Sequence, residues 1–131
     1  MTEELELTLF QIITAAGGCK SNYIGAIQLA KEGKFEEAKD LVKEGDQFLA
    51  QAHDPHAKLL AQEAQLAVEG KNSSDLVCLL LIHAEDQMMS CEVFKQLAVE
   101  FIDLYENHGA EFVVQRVARA PGTKSGAFLL W

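Results

Sequence analysis

Proline and long apolar runs are scarce in this 131-residue sequence. It contains two prolines, Pro55 and Pro121, so long helices are permitted over most of its length. No run of about 18 apolar residues occurs, which argues against a membrane-spanning helix. The first residues are acidic where a secretory signal peptide would need a basic region and an apolar segment. We therefore expect a cytoplasmic protein with a single domain.

Cysteine and basic residues are also few. The three cysteines, Cys19, Cys78 and Cys91, are an odd number and form no Cys-x-x-Cys motif. This argues against a disulfide framework and against a zinc ribbon. The formal net charge of −9 argues against nucleic-acid binding, which needs a basic surface. Because 49% of the residues are hydrophobic, the chain has enough apolar side chains to build a folded core.

Short polar breaks around Gly33 and Gly70 divide residues 1–109 into three segments with helical periodicity. The segments predict helices over residues 3–31, 35–68 and 75–108. Ser73 or Ser74 is the expected N-cap of the third helix. These features predict an all-α domain over residues 1–109.

Two further parts of the chain affect this organisation. Pro55 is expected to kink the second helix or divide it, because proline lacks a backbone donor and clashes with the preceding turn. Residues 110–131 differ from the rest in charge, since they hold three basic residues and the single acid Glu111. They also include the only tryptophan, Trp131. We expect this segment to be a C-terminal extension or tail of unknown role.

The third helix is apolar on two of its faces. One face carries Leu76, Leu80, Phe94, Leu97, Phe101 and Leu104, and the other carries Leu79, Ile82, Met89 and Val93. A helix that is apolar on two sides must be buried on both. Two partner helices within one small chain cover only part of it, so we expect a helical oligomer with the third helix innermost.

Four polar residues interrupt these two faces at the same height. His83, Gln87 and Ser90 share one face because steps of three and four stack on a helix, while Asp86 lies on the other. Three interpretations stay open. In the first, His83 is a hydrogen-bonded core histidine and Asp86 a buried hydrogen-bonding group. In the second, a metal is bound by His83 with Asp86, or by several copies of Asp86 that meet on a symmetry axis. Alternatively, His83 is a nucleophile that accepts a phosphoryl group on a ring nitrogen.

The other candidate residues have simpler explanations. His53 and His56 are three apart and suit a metal site, but a kinked, partly exposed stretch is the favoured interpretation. His108 lies at a helix end, where an imidazolium complements the helix dipole. Cys78 and Cys91 flank His83 without an obvious activating base, so they are interpreted as buried, unreactive thiols.

Several short motifs carry a family resemblance. They are Ala-Gly-Gly in the first segment, Gly-Lys-Phe-Glu-Glu-Ala at the start of the second with Ala52-His53 further along, and the third-segment core His83-Ala84-Glu85-Asp86-Gln87-Met88-Met89. With the layout of three long helices, they resemble the IIA component of the lactose/cellobiose family. That family belongs to the bacterial phosphoenolpyruvate-dependent sugar phosphotransferase system. The resemblance covers about residues 5–109.

The resemblance implies a fold, a reaction and a set of partners. It implies an antiparallel three-helix subunit that assembles as a nine-helix trimer. The histidine at the position of His83 would accept phosphate from the carrier HPr and pass it to the IIB component, with Gln87 as a possible neighbour. Asp86 would face the trimer axis and bind a divalent cation, expected to be Mg²⁺. Association with the membrane would be indirect, through the IIC transporter.

The third-segment core also departs from the family pattern His-Ala-Gln-Asp-His, because this chain has Glu85 and Gln87 at two of the five positions. Glu85 adds negative charge near the residue that would bind a phosphoryl dianion. A structural or regulatory bundle without phosphorylation is therefore one alternative function. Another is a metal-binding bundle that uses His83, Glu85 and Asp86, although the paired Glu-x-x-His pattern of di-iron bundles is absent.

Overall fold

The computed structural model describes residues 1–72 and 77–109, which form three long helices. These are α1 (Glu3–Lys31), α2 (Phe35–Val68) and α3 (Leu79–His108). The all-α, three-helix architecture expected from the sequence is confirmed. Residues 110–131, expected to form an extension or tail, lie outside the described residues.

Helix α1 has a capped start and a tight end. The Thr2 hydroxyl accepts a hydrogen bond from the Leu5 N–H at 3.2 Å, and three glutamates in the first turn complement the positive end of the helix dipole. After Lys31 the chain turns at Gly33, whose φ of +78° suits glycine. The short turn sends α2 back alongside α1.

Pro55 neither ends nor divides α2, which runs without a break from Phe35 to Val68. Division at this proline, one of the two outcomes expected from the sequence, is therefore wrong. The proline ring removes the N–H that would bond to the carbonyl of Gln51. Gln51 is exposed, so water can satisfy that carbonyl.

Helix α3 begins at Leu79, four residues later than the sequence predicts. Cys78 has extended backbone angles and acts as the N-cap, since its Sγ accepts from the Leu81 N–H at 3.4 Å. The helix therefore starts after Val77 and Cys78, which are not helical. The two serines expected as caps lie outside the described residues.

The core consists of two clusters that fix the direction of each helix. One joins the first half of α1 to Ala52 of α2 and to Ala84 and Met88 of α3. The other joins the second half of α1 to the first half of α2 and to Cys91, Ala98 and Ile102 of α3. Helices α1 and α3 therefore run parallel, and α2 runs antiparallel to both.

Small residues let α1 and α2 approach closely. A Cβ on Gly45 would lie 2.8 Å from the ring of the buried Tyr23, and a Cβ on Gly18 would lie 3.1 Å from the ring of Phe48. Gly18 thus allows close packing of the two helices. No helix among the described residues is long and apolar enough to cross a membrane.

Candidate functional site

The side chain of His83 lies in the second turn of α3 and is half-buried. Its Nε2 atom is buried within the described chain. The next residue, Ala84, packs in the core, so the helix turns its small side chain inward and leaves His83 at the margin of the core. The His83 ring therefore lies next to the core, and part of the side chain is exposed to solvent.

Gln87 follows His83 by one helical turn, so the two residues share a face of α3, as predicted. The Gln87 side chain is 98% buried. Its Oε1 accepts a hydrogen bond from Lys20 Nζ on α1 at 2.5 Å. Lys20 is itself only 5% exposed, and its Nζ lies 5.8 Å from the centroid of the Phe94 ring. The sequence around Lys20 carries no signal of a buried lysine, because a single lysine on an amphipathic helix is usually solvated.

Ser90, the third polar residue expected on this face, bonds to its own helix. Its hydroxyl donates to the Asp86 carbonyl at 2.6 Å and lies 3.2 Å from the Gln87 carbonyl. This is the usual back-bonding of serine within a helix, and it occupies the hydroxyl donor.

Glu85 contacts a histidine of α2. Nε2 of His56 lies 2.6 Å from Oε1 of Glu85, and His56 is only 7% exposed. The stretch around the two histidines is partly exposed, as expected, but His56 itself is buried. Periodicity placed His56 on α2 but did not reveal which face of α2 meets α3.

His53 and His56 point to different partners. Nε2 of His53 lies 3.0 Å from Oε1 of Glu92, and both side chains are exposed. The two histidines are thus associated with separate carboxylates of α3. Among residues 1–72 and 77–109, no three His, Cys, Asp or Glu side chains are grouped to hold a metal ion.

Asp86 is exposed and lies within an apolar strip on the outer face of α3. The strip, here called the outer strip, consists of Leu79, Ile82, Met89 and Val93 with Asp86 in its middle. Their exposed fractions are 82% for Leu79 and 56% for Ile82, so a single chain leaves the strip against water. In the part of the chain that the structure describes, no side chain pairs with the Asp86 carboxylate.

Two cysteines pack together beneath the site. Sγ of Cys19 and Sγ of Cys91 lie 3.3 Å and 3.2 Å from the Ala16 carbonyl oxygen, and Cys91 Sγ lies 3.1 Å from the Gln87 carbonyl oxygen. The hydrogen bond between the two thiols and their burial raise the pKa of Cys19 well above its usual range. Cys91 is thus a buried packing residue, as expected, whereas Cys78 is half-buried and caps α3.

A cavity of about 160 Å³ lies near the start of α3. Its walls include Leu5, Leu59, Leu81 and Glu85. His83 is not among the residues that line it.

Comparisons with known proteins agree with the fold and with the motifs around His83. The family described as "PTS system, Lactose/Cellobiose specific IIA subunit" matches residues 7–106. This range contains His83, Asp86 and Gln87, together with Lys20 and His56.

Several characterised relatives share about a third of their residues with this chain. The lichenan-specific phosphotransferase enzyme IIA component of Bacillus subtilis is 36% identical over 106 residues, which are 81% of this chain and 91% of the relative. The lactose-specific EIIA component of Staphylococcus epidermidis is 33% identical over 79% of this chain and 94% of its own length.

A solved structure gives the same result in three dimensions. The crystal structure of the cellobiose-specific enzyme IIA from Bacillus anthracis superposes with a TM-score of 0.72 and 33% sequence identity. The match covers 85% of this chain and 96% of that one. The similarity therefore extends over nearly the whole length of that enzyme.

Proposed function

Because the chain belongs to the lactose/cellobiose-specific IIA family of the sugar phosphotransferase system, we propose that His83 carries the phosphoryl group. In this proposal His83 accepts the group from HPr and passes it to a IIB component during sugar uptake. The observation that carries the proposal is the half-buried ring of His83 on α3, one turn before Gln87 and its hydrogen-bonded Lys20.

The proposed transfer consists of two displacements at phosphorus. In the first, the lone pair of a His83 ring nitrogen attacks the phosphorus of phosphohistidine on HPr. A new N–P bond forms as the old one breaks, and the nitrogen of HPr keeps the bonding electrons. In the second, a thiolate of the IIB component attacks the same phosphorus, an S–P bond forms, and the His83 nitrogen recovers its electron pair.

The setting of His83 suits such a relay. Imidazole is largely neutral near pH 7, so a lone pair is available for attack. Packing of the neighbouring Ala84 in the core fixes the part of α3 that carries the ring, which limits the orientations to be sampled before an in-line attack. Partial exposure of His83 leaves the side chain open to two successive carriers.

We further propose that three copies of the chain associate through α3. The outer strip is apolar and exposed, and its burial between copies would remove it from water. Three strips that meet on an axis would bring three Asp86 carboxylates together. Their oxygens suit Mg²⁺, and the cation would offset the repulsion between like charges.

This function places the chain in the cytoplasm, where it would reach the membrane only through the partner proteins that contact the IIC transporter. The test is to phosphorylate the purified chain with phosphoenolpyruvate, enzyme I and HPr, and then to add a IIB component. We expect the acid-labile phosphate to leave this chain and appear on IIB. A chain that accepts no phosphate would favour the structural or metal-binding alternatives.

A further inference from the structure

Lys20 is a buried cation on α1. It is 5% exposed, and its Nζ contacts the neutral Oε1 of Gln87 and the face of the Phe94 ring. Within residues 1–72 and 77–109 its ammonium forms no ion pair with a carboxylate. A buried charge without a counter-ion costs free energy. The structure thus holds a positive charge that is incompletely compensated by its described neighbours.

The side chain of Lys20 extends toward His83. The Ala16 carbonyl is level with Cys91, since its oxygen lies 3.2 Å from Cys91 Sγ. Lys20 lies one turn after Ala16, yet its Nζ reaches Gln87, which lies one turn before Cys91. Side chains on helices lean toward the N-terminus, and α1 and α3 run parallel. The ammonium is therefore directed back along α3 toward His83.

The Lys20 contact also fixes the orientation of the Gln87 amide. An ammonium has donors only, so the atom it contacts must be the acceptor Oε1. The NH₂ group of the amide then lies on the other branch of the side chain and faces away from Lys20. Gln87 is one helical turn from His83, so this donor lies within reach of a group attached to the His83 ring.

We propose, on the basis of the function inferred above, that Lys20 is a positioning residue for the phosphoryl group on His83. Its ammonium holds Gln87 Oε1 so that the amide NH₂ donates to a phosphoryl oxygen. The phosphoryl group carries about two negative charges, and Lys20 supplies a positive charge on the same side of α3. In a water-poor setting such a fixed donor and cation favour the phosphorylated form.

The test compares three variants with the parent protein. Lys20→Met removes the charge and keeps an unbranched, largely apolar side chain, and Lys20→Arg keeps the charge. Lys39→Met is the matched control, because it removes the same charge from the exposed Lys39–Glu106 pair at the other end of α3. The measurements are the initial rate and the equilibrium extent of phosphorylation by HPr, and the melting temperature.

We expect Lys20→Met to lower the rate by about 10- to 100-fold and to reduce the extent of phosphorylation. Its melting temperature should equal or exceed that of the parent, because a buried charge is replaced by an apolar group. Lys20→Arg should restore most of the rate, and Lys39→Met should stay within about twofold of the parent. A merely structural role predicts the opposite, a fall in melting temperature that arginine does not reverse.

A second measurement tests whether Lys20 acts through Gln87. In a Gln87→Met background, Lys20→Met should slow phosphorylation by a much smaller factor than in the parent. Equal factors in both backgrounds would overturn the proposed route through the amide. If the parent is phosphorylated and Lys20→Met is phosphorylated at the same rate and to the same extent, this inference alone is overturned. A parent that accepts no phosphate overturns the proposed function as well.

Discussion

His56 Nε2 lies 2.6 Å from Glu85 Oε1, which joins α2 to α3 two residues after His83. The contact restrains the carboxylate that distinguishes this chain from the family pattern at that position. When His56 is protonated, its charge offsets that of Glu85. The extra acid beside His83 is thereby held against α2.

A double-mutant cycle should detect the coupling between His56 and Glu85. We expect His56→Gln and Glu85→Gln each to lower the free energy of unfolding by about 1 kcal/mol at pH 6, and the double variant to lose less than the sum. Urea unfolding at one protein concentration measures this. The exposed pair His53–Glu92 is the control, with an expected coupling below about 0.5 kcal/mol. Strict additivity at His56 and Glu85 would show that the contact does not form.

The outer strip should mediate association. Light scattering at micromolar concentration should give about three times the chain mass of 14.4 kDa. Ile82→Asp and Met89→Asp should dissociate the assembly, because they place charge within its apolar contact. Gln47→Asp is the control, since Gln47 is exposed on α2 and not on α3. A well-behaved monomeric parent would refute association through this strip.

Asp86 should limit the stability of the assembly. If three carboxylates meet on an axis, their repulsion must be relieved by a cation or by a raised pKa. We expect Asp86→Leu to melt at a higher temperature than the parent when both are measured with a chelator. Added Mg²⁺ should narrow this difference in melting temperature, because it stabilises the parent but not Asp86→Leu. The axial position of Asp86 would be contradicted if the chelator left the parent's melting temperature unchanged and Asp86→Leu melted at a lower temperature than the parent.

Tyr23 should make the protein sensitive to alkali. Burial and the hydrogen bond that its hydroxyl donates to Asp46 Oδ1 at 2.7 Å raise the pKa of Tyr23 far above its usual value. Because folding raises this pKa, its contribution to the free energy of unfolding is fully present below the unfolded-state pKa of about 10. The contribution is lost as the pH rises above that value. Stability should therefore fall above about pH 10.

The variant Tyr23→Phe separates this effect from other alkaline titrations. It should cost about 1 kcal/mol at pH 7, for the lost hydrogen bond, and its stability should then fall less steeply above pH 10. Tyr105→Phe, which removes the other tyrosine hydroxyl of the chain, is the comparison variant. If both variants show the same slope as the parent, the Tyr23–Asp46 bond does not carry the pH dependence.

Helical periodicity predicted the local features of this fold from sequence. It gave the first two helices their bounds and placed His83 and Gln87 on one face of α3. Periodicity does not report which faces of different helices meet, so the contacts of Lys20 and His56 were missed. Both are long or amphipathic polar side chains whose burial depends on a partner 29 or more positions away in the sequence.

Local rules also failed at two positions. Cysteine is a rare N-cap residue. The sequence at Cys78 therefore indicated a helix start less strongly than the serines upstream of it. Division of α2 at Pro55 was one expected outcome, yet the helix continues, and the carbonyl that loses its donor lies on an exposed turn.

The central claim is that His83 is the phosphorylated residue, and intact-mass measurement after incubation with phosphoenolpyruvate, enzyme I and HPr tests it most directly. The parent should gain one phosphoryl group per chain, stable in base and lost in acid. His53→Gln and His56→Gln should still gain it. His83→Gln should remain folded and assembled but gain none, because glutamine keeps polarity without a nucleophilic ring nitrogen. A His83→Gln protein that gains the labile group at the parent's rate would contradict the account.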